Sequence, residues 1–102
     1  SDHGLLGSID ANRGNAQAMS YSGDMYLQGW GVPTDFVEAE KWYRKAEAKN
    51  YAEAIRMLGF MFEQGRGRPA NRDQAISYYR RAATLGSAKA KEALTRLGVS
   101  PQ

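Results

Sequence analysis

Residues 15–50 align with residues 51–86 without a gap, giving the chain an internal period of 36 residues. Twelve positions are identical between the copies: Ala16/Ala52, Ala18/Ala54, Gly23/Gly59, Met25/Met61, Gln28/Gln64, Gly29/Gly65, Gly31/Gly67, Pro33/Pro69, Ala39/Ala75, Tyr43/Tyr79, Arg44/Arg80 and Ala46/Ala82. Conservative pairs such as Tyr26/Phe62, Asp35/Asn71, Glu38/Gln74 and Trp42/Tyr78 fall in the same frame. A third copy begins at Ala88 and Ala90, places Leu94 at the position of Leu58, and stops near Gly98. A period of this length restricts the fold, because each unit is too small to bury its own apolar face and must stack on its neighbours.

Each copy reads as two helices. In the second copy Ile55, Leu58, Gly59 and Phe62 recur at i, i+3, i+4 and i+7, one face of a helix. That helix should end at Gln64, before the breaker run Gly65-Arg66-Gly67-Arg68-Pro69. The next should start from Asn71 as cap with Gln74 three residues on, and Asp35 with Glu38 repeats this capping box in the first copy. It should close at Gly86, matched by Asn50, both tolerant of a left-handed exit. Gly23 and Gly59 fall inside helices, where glycine costs about 1 kcal/mol relative to alanine. A cost repeated in phase implies close approach of the partner helix, with Ala39, Ala46, Ala75 and Ala82 as the matching small surface. Tyr26, Phe62, Tyr43 and Tyr79 would then fill the wedge between hairpins.

Composition agrees with closely packed helices. The chain has 15 Ala against 13 Ile, Leu and Val together, a poor supply for a sheet. No Cys and one His leave no disulfide or zinc-thiolate site and argue against a histidine-based relay or a multi-histidine metal site. No metal or cofactor is expected. No apolar run approaches the ~20 residues of a membrane span. Charge is unevenly spread: residues 1–50 carry seven acids and five bases, residues 51–102 four acids and nine bases. No aromatic residues interleave with those bases as single-strand readers require, so nucleic acid is not an expected partner.

The assembled pattern, A-x3-[LS]-G-x2-[YF]-x2-G-x-G-x-P-x-[DN]-x2-[EQ]-A-x2-[WY]-Y-[RK]-[KR]-A from Ala18 and again from Ala54, resembles the Sel1-like repeat, a relative of the tetratricopeptide repeat. The resemblance runs from residue 14 to about 98, with Ser22 departing from the expected Leu in the first copy and Thr95 from the Gly in the third. It implies an all-α, right-handed α/α solenoid. Residues 14–50 and 51–86 would be two hairpins, 87–98 a capping helix and 99–102 a tail. Residues 1–13 would be an irregular segment or the remnant of a preceding repeat, in the C-terminal portion of a longer protein.

The resemblance further implies an adaptor or scaffold that binds a protein or peptide on its concave face, lined by the first helix of each unit. By tetratricopeptide analogy the outward positions are Gln17, Ser20, Asp24, Leu27 and Gln28, then Glu53, Arg56, Phe60, Glu63 and Gln64, then Lys89, Glu92 and Arg96. Arg56, Lys89 and Arg96 could pair with acidic groups of a partner, although Glu53, Glu63 and Glu92 dilute the field. Phe60 stands where the first copy has Asp24 and is either an anchor or a patch covered by an adjacent side chain. Trp30 stands where the second copy has Arg66, either as an exposed loop anchor or as a lid over the hairpin end. The open N-terminal end offers surface for another copy.

Two other functions were weighed. A periplasmic peptidoglycan- or glycan-binding module would use Trp30, Tyr21 and the basic half, and an envelope setting is slightly favoured over the cytoplasm. A hydrolase akin to cysteine-rich relatives lacks support, since the cysteines, S-x-x-K and K-T-G are all absent. Glu38, Glu40 and Asp73 sit at capping or surface positions, so the chain is expected not to be an enzyme.

Overall fold

The computed structural model describes the backbone of residues 2–101 and the side chains of residues 13–101. Five helices follow in order: α1 Asp2–Gln28, α2 Phe36–Glu47, α3 Ala52–Gln64, α4 Arg72–Thr84 and α5 Ala88–Arg96. Helices α1 and α2 form the first hairpin, α3 and α4 the second, and α5 packs on α4 as a single closing helix. No strand occurs among the described residues.

Helix boundaries follow the local chemistry. Gly65 ends α3 in the left-handed conformation at φ 69°, and its N–H donates to the Met61 carbonyl. Asn50 (φ 57°) and Gly86 (φ 104°) make the same turn between successive units. The carboxylate of Asp35 accepts from the Glu38 N–H at 3.0 Å, and the Asn71 side chain accepts from the Gln74 N–H at 3.1 Å. Only half of the expected capping box forms. The N–H groups of Asp35 and Asn71 donate instead to the carbonyls of Tyr26 and Phe62, 2.9 and 2.8 Å away. Those bonds tie the start of each second helix to the end of the first, so the cap N–H is already satisfied.

The core lies in two layers. Leu27, Ala39, Tyr43 and Ala46 of the first hairpin pack against Ala54, Leu58 and Met61 of the second. Ile55, Ala75, Tyr79 and Ala82 of the second pack against Ala90, Ala93 and Leu94 of α5. The in-phase glycines do mark close approach, but aromatic rings fill the space rather than alanines. Tyr43 lies on Gly23 and Tyr79 on Gly59. Ala39, Ala46, Ala75 and Ala82 are nonetheless fully buried.

Residues 1–13 were expected to be an irregular segment or the remnant of a preceding repeat; the backbone of residues 2–13 is helical and forms the start of α1. Gly14 holds the register of Asn50 and Gly86, yet the helix runs straight through it.

Candidate functional site

Residues of α1, α3 and α5 line a groove along one face. Its first section, about 590 Å³, is walled by Gln17, Ser20, Tyr21 and Asp24 of α1, Glu53, Arg56 and Met57 of α3, and Lys89 of α5. A second section of about 430 Å³ shares Arg56 and Lys89 and adds Phe60, Tyr79, Glu92 and Arg96. The groove therefore brings together nine of the expected positions. Ser20 is among them but nearly buried, and its hydroxyl is more wall than contact surface. Gln28 and Gln64 are exposed at the helix ends and line neither section. Leu27 was expected to point outward and instead sits in the core at 2% exposure, because it carries the packing between hairpins.

Asp24 and Glu53 of the groove, and Glu63, which lines neither section, are held by donors from within the fold. Tyr43 donates its hydroxyl to Asp24 at 2.5 Å, and Tyr79 donates to Glu63 at 2.7 Å. The two bonds come from equivalent tyrosines but reach different positions on the first helix. Asp24 and Leu27 in the first copy become Phe60 and Glu63 in the second, so the acid has moved one turn along. Burial, reinforced by these carboxylates, pushes both tyrosine hydroxyls well above their ordinary range. Glu63 also accepts from Arg96 at 2.5 and 2.9 Å. That pairing holds its carboxyl below the usual range, with the Tyr79 hydroxyl adding to it against the opposing effect of burial. Glu53 accepts from Arg56 at 3.1 Å and from the Ser87 hydroxyl at 2.7 Å.

Phe60 is half-buried, with the Arg66 guanidinium 5.8 Å from its ring centroid and 5.6 Å from that of Phe36. Arg66 thus covers part of the ring, while Phe60 still lines the second section of the groove. That Arg66 is the covering side chain was not foreseen, since in the sequence it stands between two glycines and meets Phe36 and Phe60 only in the fold. Trp30, in contrast, is 51% exposed, and its nearest ring partner is Tyr21, itself 57% exposed, at 6.1 Å between centroids. Trp30 is no lid.

A larger hollow of about 740 Å³ lies elsewhere, where Val99 and Pro101 pass over Ile76, Arg80 and Leu85. Its wall is the chain's own C-terminal segment, held by Arg72 on the Leu97 carbonyl at 2.7 Å and Arg80 on the Ser100 carbonyl at 3.1 Å. The sequence carried no sign of it beyond an apolar Leu85 before the Gly86 turn. Among the described residues no group of three or more His, Cys, Asp or Glu is placed to hold a metal ion, and no helix is long and apolar enough to cross a membrane.

The model for the Sel1 repeat family matches residues 16–51 and 52–87, well over half of the chain. The chain belongs to the Sel1 repeat family. Two solved structures share its fold. A Sel1 repeat protein from Oxalobacter formigenes superposes with a TM-score of 0.76 at 34% identity, over 91% of this chain and 40% of that one. The protective antigen c5321 of uropathogenic Escherichia coli, with an SLR fold, gives a TM-score of 0.76 at 29% identity, over 90% of this chain and 21% of that one. This chain thus spans less than half the length of either. No curated protein matches it. Sel1 repeat proteins are helical solenoids that generally serve as protein–protein interaction modules and non-catalytic scaffolds.

Proposed function

We propose that this Sel1 repeat module binds a segment of a partner protein in the groove along α1, α3 and α5, and that acidic segments are preferred. The observation that carries the preference is the unequal use of the groove's charges. Asp24, Glu53 and Glu63 already accept hydrogen bonds from Tyr43, Arg56, Ser87, Tyr79 and Arg96. Lys89 is exposed, lines both sections, and makes no ion pair among the described residues. Its ammonium can take a partner carboxylate without breaking an existing bond. Glu92, also unpaired, lies only in the second section, so the first section favours an acid more strongly. The exposed amide of Gln17 adds a donor and an acceptor for an extended backbone.

Selection of displayed random peptides on the immobilised protein tests this. Enriched peptides should be acidic, and their binding should fall at least about tenfold, some 1.4 kcal/mol, with Lys89→Glu or Arg56→Glu. Binding should survive Arg81→Glu, on the opposite helix layer. Peptides that bind the groove variants and the parent equally would sink the assignment.

A further inference from the structure

Arg44 and Arg80 hold the same place in the two hairpins but stand among different neighbours. The Arg44 guanidinium donates to Glu40 at 3.3 Å and to Glu47 at 3.1 Å, one turn before it and one turn after it on α2. On α4 the places of those two acids are taken by Ile76 and Ala83, both buried. Arg80 makes no ion pair among the described residues. Its Nε donates to the Ser100 carbonyl at 3.1 Å, and its two terminal nitrogens have no acceptor among the described residues.

This guanidinium lines the hollow of about 740 Å³ on the outer side of α4. Ile76, Leu85, Val99 and Pro101 give the hollow an apolar side, and Leu85 remains 45% exposed there. The wall made by the C-terminal segment is anchored. Gly98 (φ 77°) turns the chain out of α5, Leu97 and Val99 pack on the second core layer, and Arg72 donates to the Leu97 carbonyl at 2.7 Å. The face of α4 around Ile76 is therefore covered from within the chain, and the hollow is what that cover leaves open. Its volume is that of a small-molecule site, where apolar walls bind and a few polar groups orient.

We infer that this hollow binds a small amphiphilic monocarboxylate of the medium-chain fatty-acid type. The carboxylate is taken by the terminal nitrogens of Arg80, a charge-assisted pairing, and the alkyl chain lies along Ile76, Leu85 and Val99. Arg81 also lines the hollow but is engaged with Glu47 at 2.7 Å, which leaves Arg80 as the partner of the headgroup. Asp73 lines the hollow as well, so a singly charged carboxylate is favoured over a phosphate monoester, whose second charge it would repel. None of these residues lines the groove along α1, α3 and α5, and the site is separate from the one proposed for a partner segment.

Calorimetric titration of the whole chain with hexanoate, octanoate and decanoate, each below its micelle-forming concentration, tests the inference. Affinity should rise about twofold to fourfold per added methylene as apolar surface is buried. Octanol and octyl phosphate should each bind more weakly than octanoate. Arg80→Gln should weaken octanoate at least about tenfold, the loss of a hydrogen-bonded charge. Leu85→Glu, at an exposed position, should also weaken it and keeps the test decisive if Arg80→Gln disturbs the Ser100 contact. Lys89→Glu, in the groove, should leave octanoate binding unchanged, and amide shifts on adding octanoate should centre on Ile76, Leu85 and Val99. The inference is overturned by an absence of saturable binding, by octanol binding as tightly as octanoate, or by octyl phosphate binding more tightly. Shifts centred on Arg56 and Lys89 would overturn it too, since the ligand would then sit in the groove.

Discussion

The ring of Tyr43 lies so close on Gly23 that a Cβ at residue 23 would stand 2.6 Å from Tyr43 Cε1. Tyr43 is fully buried and its hydroxyl is bound to Asp24, so the ring cannot swing aside. Gly23→Ala gains about 1 kcal/mol of helix propensity and incurs about 1–3 kcal/mol of overpacking. The net effect is a loss, read as a midpoint lowered by several degrees in thermal unfolding. At Gly59 the Tyr79 ring is 3.0 Å from the same construction, so Gly59→Ala should cost less. A stabilised Gly23→Ala, or equal effects at the two sites, would contradict this packing.

Ser87 serves two units at once. Its oxygen caps α5 by accepting from the Ala90 N–H at 3.1 Å, and its hydroxyl donates to Glu53 at 2.7 Å. Asp35 caps α2 in an exposed setting. Asp35→Ala should cost about 1 kcal/mol, and Ser87→Ala more, toward about 2 kcal/mol, because it also leaves a bond to Glu53 unmade. Denaturant midpoints at constant slope would show the order Ser87 before Asp35.

Glu63 makes stability depend on acid. Arg96 and Tyr79 hold its folded-state carboxyl below the unfolded value of 4.5. The unfolded chain therefore takes up the proton first, and stability is complete above that value and falls as pH drops through it toward the folded pKa. Glu63→Gln should lower the midpoint at neutral pH and flatten part of its decline as pH falls below about 5. A decline as steep as the parent's would place the acid sensitivity elsewhere.

Much of this architecture was legible in the repeat. Gly65, Asn50 and Gly86 end their segments as their residue types require, and Asp35 and Asn71 cap as expected, because these are local backbone effects. What escaped depends on contacts across helices. Leu27 shares a helix stripe with polar Asp24 and Gln28, and only the second hairpin shows why it is buried. The transfer of an acid from position 24 to position 63 is visible as two substitutions, but its meaning lies in where the Tyr79 hydroxyl points. The covering of Phe60 by Arg66 likewise joins a turn to two hairpins. The helix also runs through Gly14, although that residue stands in register with the turn residues Asn50 and Gly86.

Trp30 separates surface from scaffold most directly. It replaces, in register, an arginine that lies between Phe36 and Phe60, and in its own turn the place of Phe60 is held by Asp24. Half its surface faces solvent, and its ring contact with Tyr21 is a tilted one between two exposed side chains. The flanking Gly29 and Gly31 carry the turn with φ of 73° and 77°, independently of the residue between them. Trp30→Arg in this chain should therefore change stability by no more than about 0.5 kcal/mol, within the range of ordinary surface substitutions. Thermal unfolding of the variant reads the outcome. A midpoint lower by several degrees would show that the indole holds the hairpin end together, and the exposed pair it forms with Tyr21 would then be part of the scaffold.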